Sequence, residues 1–173
     1  MLPGIKEGTM KRMRMVAAAV LLTGVLGVFA AHAETKPLGF TFGENRYETG
    51  MDAEEAKKTL GKEKSERDVN SCANGYVNKA YTYGEKDKDF EVYVELDEKS
   101  GKDIVAGITL LTGNVATEEG LKVGDTEAEV QKIYPDAKKG LGSYKMEKDG
   151  KQLYVRVKSG KVSYISYTAA EQK

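Results

Sequence analysis

The sequence predicts an α+β fold in which two tandem halves each place a short helix before antiparallel strands. The segments 50–60 and 124–134 align without a gap, and each reads as a glycine followed by a helix start. Alternating apolar and polar residues follow both segments, which is typical of half-buried strands. Helices this short are not stable alone, so we expect both to pack on one face of the sheet.

Each predicted helix carries its own start and stop signals. In the first, Asp52 is placed as the N-cap, and Glu55 follows at the spacing of a capping box. Gly61 then ends this helix, because glycine adopts the backbone conformation of a helix terminus without strain. The second helix carries the same signals at Thr126, Glu129 and Pro135.

Three strands are predicted after each helix. They lie near residues 80–83, 90–96 and 104–110 in the first half, and near 143–146, 153–158 and 162–167 in the second. The dipeptide Ser159-Gly160 separates the last two strands and predicts a tight hairpin. A weak extra strand is expected at 39–42. The stretch 61–78 is charged and without a clear period, so a partner-facing loop or a second helix is expected there.

Residues 1–33 are predicted to be a secretory signal peptide, with Met10 or Met13 as the real start. Three basic residues between positions 11 and 14 precede an apolar run at 16–30, and small residues flank the expected cleavage site after Ala33. An uncleaved membrane anchor is the alternative. Cleavage would remove His32, which is the one histidine of the chain, and would leave no membrane span.

The remaining residues divide into a short N-terminal segment at 34–45, a first half at 46–113 and a second half at 114–173. The charges balance, with 27 Lys and Arg residues against 27 Asp and Glu residues. No basic stripe stands out, so nucleic-acid binding is not expected. An exported protein with these features is expected to be secreted or associated with the cell envelope.

Several segments carry a resemblance to known proteins. They are 70–73, 81–84, 90–93, 101–105, 108–110 and 117–126. In this order they resemble a family of exported, mostly uncharacterised proteins from gut Clostridia and relatives. The segment 119–126 is also similar to the start of each half of the β-lactamase inhibitor protein fold and to small outer-membrane assembly lipoproteins. The resemblance implies helices packed on an antiparallel sheet and an exported location, and it implies no activity.

Ten tyrosines are the most informative surface feature of the sequence. On strands they build contact surfaces at low cost in conformational entropy, although packing between neighbouring strands also favours tyrosine. The alternation places Tyr93 and Tyr154 opposite the apolar stripe, and it places Tyr164 and Tyr167 on opposite faces of one strand. The candidate binding face consists of Tyr81, Tyr83, Tyr93, Tyr154 and Tyr164.

Catalytic and metal-binding motifs give weak signals. Cys72 is the one cysteine, and it is read as buried, as a free thiol or as a link between two chains. Glu91 and Glu95 could act as a carboxylate pair, and Asp97, Glu98 and Asp103 could hold calcium, but a solvated strand and a solvated turn are the preferred interpretations. No cofactor and no metal are therefore expected.

The sequence thus predicts a secreted, non-catalytic binding domain that meets a protein or a cell-wall component. Two alternatives belong to other classes. One is a hydrolase of envelope polymers that works through acidic residues, and it requires two carboxylates that converge in a cleft. The other is an envelope-assembly factor that pairs with a partner at a sheet edge. The oligomeric state is left open.

Overall fold

The computed structural model describes residues 38–70, 77–85 and 88–170 of the 173-residue chain. These residues all belong to one compact unit. In chain order the elements are β1 (Phe40–Phe42), β2 (Asn45–Tyr47), α1 (Ala53–Leu60), β3 (Ser65–Asn70), β4 (Val77–Tyr83), β5 (Phe90–Asp97), β6 (Lys102–Leu110), α2 (Glu127–Ile133), β7 (Lys138–Gly140), β8 (Ser143–Lys148), β9 (Lys151–Lys158) and β10 (Lys161–Ala169).

Eight of the strands form one sheet in the order β3-β4-β5-β6-β10-β9-β8-β7. Every neighbouring pair in this sheet is antiparallel. The strands β6 and β10 lie at the centre, where Leu110 is opposite Ile165 and Ile108 is opposite Tyr167. The hairpin of β1 and β2 forms a separate two-stranded sheet.

The predicted α+β class is wrong, because the structure is mostly β, with 12% helix and 53% strand. The helices have only 8 and 7 residues. Two strands that the sequence did not predict, β3 and β7, extend the sheet at both edges. The repeat of helix and hairpin is not borne out either. Because β6 pairs with β10, all eight strands share one sheet.

One face of the sheet carries the hydrophobic core. Cross-strand partners share a face, so the register places the following residues in one row across the core face: Tyr83, Phe90, Leu110, Ile165, Val155 and Tyr144. All of them are buried. Both helices pack on this face, α1 against β6 and α2 against β10. Ala56 and Val130 bring the apolar side of each helix into the core.

The start signals of both helices are confirmed, although only one is a full capping box. The Asp52 carboxylate accepts hydrogen bonds from the backbone N–H groups of Glu54 and Glu55. At α2, the side chain of Thr126 accepts from the Glu129 N–H, and the Glu129 carboxylate accepts from the Thr126 N–H. Gly61 is the C-cap of α1, and Tyr134 is the C-cap of α2, directly before Pro135.

Both helices are also fixed by the backbone that leads into them. The N–H of Gly50 donates to the carbonyl of Val105, and the N–H of Val105 donates to the carbonyl of Met51. Before α2, the Gly124 N–H donates to Val162, whose own N–H donates to Asp125. The residues before α1 are therefore hydrogen-bonded to β6, and those before α2 to β10. These bonds fix the position at which each helix begins on the core face.

The tight hairpin predicted at Ser159-Gly160 is confirmed, and a second tight hairpin precedes it in the chain. Two residues separate β8 from β9, and both have positive φ angles, 51° at Asp149 and 71° at Gly150. Ser159 and Gly160 repeat this arrangement between β9 and β10, with φ angles of 52° and 75°. Turns with two positive φ angles match the twist of the flanking strands, so they fix the register of β8, β9 and β10.

Several predictions fall outside the described residues or are changed by them. The signal peptide, His32 and Cys72 lie outside the described residues, so these features stay predictions. The boundaries at residues 33, 45 and 113 also stay predictions. The expected loop or helix at 61–78 is wrong for its described part, because β3 occupies residues 65–70. Neither of the two described helices has the length and apolar character needed to cross a membrane.

Candidate binding face

The face of the sheet opposite the core, here called the open face, is covered by neither described helix. One row across it contains Thr82, Glu91, Thr109, Ser166, Tyr154 and Lys145. Tyr93 and Tyr164 lie in the neighbouring rows, opposite Gly107 and Arg156 respectively. Tyr93, Tyr154 and Tyr164 are each partly exposed. Three of the five predicted tyrosines therefore share one accessible surface.

The remaining two predicted tyrosines lie on the core face. Tyr83 is 1% exposed and stacks on Phe90, with 5.7 Å between the ring centroids. Tyr81 is partly buried against the core, and the Lys57 ammonium of α1 lies 5.1 Å from its ring centroid. The alternation in β4 correctly puts both on one face, but the partners of β4 make that face the interior. We therefore exclude them from the binding face.

A compact polar cluster surrounds Tyr93. Arg67 donates two hydrogen bonds of 3.0 Å to the two carboxylate oxygens of Glu91. The hydroxyl of Tyr93 donates to Glu91 Oε2 and accepts from Arg67 Nη2 at 3.2 Å. The Arg67 guanidinium also lies 5.7 Å from the centre of the Tyr93 ring, within the range of a cation–π contact. This network holds the Tyr93 ring in one orientation on the open face.

The protonation states in this cluster follow from its contacts. Burial opposes ionisation of Glu91, but the hydrogen bonds from Arg67 and Tyr93 outweigh it and lower the pKa of Glu91. Burial, together with the hydrogen bond to Glu91, raises the pKa of Tyr93 to about 12. Glu91 is therefore an anion and Tyr93 a neutral phenol at neutral pH.

Tyr154 and Tyr164 form a second aromatic pair, on β9 and β10. Their ring centroids are 6.2 Å apart in an edge-to-face arrangement, which is favourable for aromatic rings. The hydroxyl of Thr109 donates to the Tyr164 hydroxyl at 3.5 Å and links this pair to β6. The two rings offer apolar area with few rotatable bonds, as binding surfaces commonly do.

Arg67, Lys138, Lys145 and Arg156 complete the open face and were missed from the sequence. Arg67 belongs to β3, whose sequence Ser-Glu-Arg-Asp-Val-Asn has too few apolar residues to be recognised as a strand. Lys145 and Arg156 lie opposite the apolar stripe of predicted strands. That Lys145 and Arg156 lie close together could be found only from the register of β8 and β9, which places Lys145 beside Tyr154.

A cleft of about 620 Å³ lies elsewhere, between the β1–β2 hairpin and residues 114–118. One of its polar lining residues is Asp89, which is 2% exposed. Asp89 accepts hydrogen bonds from the Thr112 hydroxyl at 2.7 Å, the Asn114 amide at 2.7 Å and the Glu85 N–H at 3.1 Å. Burial opposes ionisation of Asp89, yet these bonds lower its pKa. The carboxylate thus joins two loops and has a structural role.

The candidate acidic sites do not assemble. Glu91 and Glu95 are four residues apart on one strand, about 13 Å between Cα atoms, and the Glu91 carboxylate is bound by Arg67 and Tyr93. Asp97 caps a turn by accepting from the N–H groups of Lys99 and Ser100. Among the described residues, no group of three or more Asp, Glu, His or Cys side chains could hold a metal ion.

Comparisons with known proteins give little further information. No protein-family model matches the chain, and no curated protein matches it. Among solved structures, the chain is similar to the uncharacterized protein yfeY from Escherichia coli, with 14% sequence identity and a TM-score of 0.36. The match covers 60% of this chain and 81% of that protein. A likeness of this size carries no argument about fold or function.

Proposed function

We propose that this protein is an exported, non-catalytic binding module whose open face docks onto a protein partner. The observation that carries the proposal is the joint placement of Tyr93, Tyr154 and Tyr164 on the side of the sheet away from both helices. Partly exposed aromatic residues at the centre of a surface are the residue type on which binding energy concentrates. Export rests on the predicted signal peptide alone.

The geometry of the open face supports docking across the sheet rather than at its edges. Charged side chains lie on both edge strands, with Glu66, Arg67 and Asp68 on β3 and Lys138 and Lys139 on β7. Strand β7 has only three residues. Short, charged edge strands oppose pairing with another chain. The alternative of sheet-edge pairing is therefore less favoured than docking on the open face.

The alternative of an acidic hydrolase is also less favoured. A general acid needs a raised pKa, whereas the contacts with Arg67 and Tyr93 lower the pKa of Glu91. Glu91 already accepts three hydrogen bonds from these two residues, which hold its carboxylate in place. The cluster is suited to orienting the Tyr93 ring for contact with a partner.

The proposal is tested by capturing partners with the full chain and with a variant that carries Tyr93→Ser, Tyr154→Ser and Tyr164→Ser. Envelope and culture-supernatant fractions of the source organism provide the partners, which mass spectrometry identifies. A control variant with Lys58→Ser, Lys62→Ser and Lys132→Ser changes three exposed residues outside the open face. We expect one protein enriched by the wild type and the control, and lost with the tyrosine variant. Equal capture by all three proteins would contradict the proposal.

A further inference from the structure

The charges of the open face differ between its two halves. On the side of β3 to β5, Arg67 is paired with Glu91. On the side of β7 to β10, Lys138, Lys145 and Arg156 are all exposed, and none of them has an ion pair within the described residues. We call the surface formed by Lys138, Lys145, Tyr154, Arg156 and Tyr164 the basic half.

The sheet register concentrates these cations. Lys138 lies directly opposite Lys145, and like charges in this position destabilise a strand pair. Arg156 is diagonal to Lys145, about 7 to 8 Å away between Cα atoms. Glu147 is the acidic side chain that the register places on the same side of β7 to β10. The register also places Lys158 and Lys161 on this side, so five cations against one anion give it a net positive charge.

The carboxylate of Glu127 forms its contacts on the opposite side of the sheet, the core side. Lys139 lies on the core side of β7 and forms an ion pair of 2.9 Å with Glu127 of α2. Glu127 also accepts a hydrogen bond of 2.7 Å from the Tyr144 hydroxyl. Because α2 lies on the core side, its acidic first turn satisfies Lys139. It does not neutralise Lys138 or Lys145.

Apolar side chains flank the cations. The large hydrophobic residues exposed among the described residues are Leu111, at 39% exposure, and Leu141, at 106%. Leu111 directly follows the last residue of β6, Leu110, which is opposite Ile165. Leu141 lies in the turn between β7 and β8, next to the row of Ser143, Arg156 and Tyr164. The basic half therefore combines positive charge with exposed apolar and aromatic area.

We propose that the basic half receives an acidic segment of a protein partner, in which carboxylates are interspersed with apolar side chains. This inference rests on the proposed function and specifies the chemistry of the partner. Carboxylates would pair with Lys138, Lys145 and Arg156, and apolar side chains would contact Tyr154, Tyr164 and Leu141. A sulfated polysaccharide would satisfy the cations but offers no apolar side chains for Leu141 and the two tyrosines. An anionic lipid surface is the other alternative, and the vesicle measurement below tests it.

The test uses the full chain and a fluorescent peptide of about 12 residues that combines Asp and Glu with one Phe and one Leu. The control peptide replaces Asp by Asn and Glu by Gln. Fluorescence anisotropy measures binding to the wild type, to Lys145→Glu with Arg156→Glu, and to the matched control Lys58→Glu with Lys132→Glu. Both control lysines are exposed and lie on the helices. Heparin and phosphatidylglycerol vesicles are measured in parallel.

We expect the acidic peptide to bind the wild type and the helix control equally. Binding to the Lys145→Glu, Arg156→Glu variant should fall by at least about tenfold, because like charges would then face each other. Raising the salt concentration should weaken binding, since exposed charges are screened. The uncharged peptide should bind at least about tenfold more weakly than the acidic one.

Three results would overturn the inference: no binding of the acidic peptide, equal binding to both double variants, or a preference for heparin or vesicles over the peptide. The proposed function is judged separately by the capture experiment. A partner that is lost with the tyrosine variant, and retained by Lys145→Glu with Arg156→Glu, would refute the acidic segment and leave the binding face in place.

Discussion

Tyrosines occupy both faces of the sheet, and the two faces use them in opposite ways. On the core face, Tyr83 and Tyr167 are each 1% exposed and pack among apolar side chains. On the open face, Tyr93, Tyr154 and Tyr164 keep part of their rings accessible. The comparison shows that two things decide whether a tyrosine stabilises the fold or offers a contact surface. One is the face on which the alternation of the strand places it, and the other is which face the helices cover.

The hydroxyl groups differ in the same way. Within the described residues, neither Tyr83 nor Tyr167 has a hydrogen-bond partner for its buried hydroxyl. Burial raises the pKa of both groups, to about 12 for Tyr83. In contrast, the Tyr93 hydroxyl donates to Glu91 and accepts from Arg67. Core tyrosines thus contribute through their rings, whereas Tyr93 is oriented through its hydroxyl.

The largest expected effect comes from removing a core ring. Replacing Tyr167 by Ala should lower the free energy of unfolding by about 3 to 5 kcal/mol, because it leaves a cavity at the centre of the sheet. The same change at Tyr154 should cost about 1 kcal/mol or less, because its ring is partly exposed. Urea denaturation followed by circular dichroism measures both. Similar losses at the two positions would remove the distinction between the faces.

Replacing the buried, hydrogen-bonded carboxylate of Asp89 should also lower the free energy of unfolding. Changing Asp89 to Asn replaces one acceptor oxygen by a donor amide, which cannot accept both sets of hydrogen bonds from Thr112, Asn114 and Glu85. We expect a loss of about 1 to 3 kcal/mol in the free energy of unfolding. Urea denaturation at neutral pH tests this, and an unchanged midpoint would show that Asp89 does not join the two loops.

The lowered pKa of Glu91 predicts a dependence of stability on pH. Because ionised Glu91 is favoured in the folded state, its contribution is present above the unfolded pKa of Glu and is lost as pH falls through the lower folded value. The free energy of unfolding should therefore decrease as pH falls below about 4.5. Glu91→Gln should decrease less steeply over this range. Parallel pH profiles for the two proteins would argue against the Arg67–Glu91–Tyr93 cluster.

The smallest expected effect concerns an unpartnered hydroxyl. Tyr167→Phe keeps the ring and removes a buried oxygen that has no hydrogen bond within the described residues. The free energy of unfolding should stay within about 0.5 kcal/mol or rise, because no desolvated donor remains. Tyr134→Phe is the matched contrast, since the Tyr134 hydroxyl donates to the Glu119 carboxylate and accepts from the Thr117 hydroxyl. Thermal unfolding of the two variants should separate them, with Tyr134→Phe less stable.

Strong local patterns made part of the fold predictable. The alternation in β5 and β9 and the capping residues of α2 depend only on neighbours in sequence, and the structure contains all three. The strands β3 and β7 were missed because edge strands need few apolar residues. The Lys-Lys-Gly of β7, for example, is exposed throughout. The pairing of β6 with β10 joins distant residues, so nothing local revealed that one sheet forms.

The candidate site was also predictable only where it depends on neighbours in sequence. The alternation of side chains within one strand correctly placed Tyr93 and Tyr154 away from the apolar stripe. The alternation could not show that the face of Tyr83 becomes the core, because this depends on its partner Phe90 on the adjacent strand β5. The contact between Arg67 and Glu91 also crosses two strand boundaries, since β4 lies between β3 and β5. Cross-strand neighbours were therefore the information that the sequence did not supply.

Hydroxyl-radical footprinting of the tyrosines tests the central claim most directly. The full chain is oxidised alone and with the partner protein from the capture experiment, and mass spectrometry measures the modification of each tyrosine. We predict that Tyr93, Tyr154 and Tyr164 are modified in the free protein and protected in the complex, while Tyr83 and Tyr167 stay unmodified in both. Protection confined to the helix side, with the three open-face tyrosines still modified in the complex, would contradict the account.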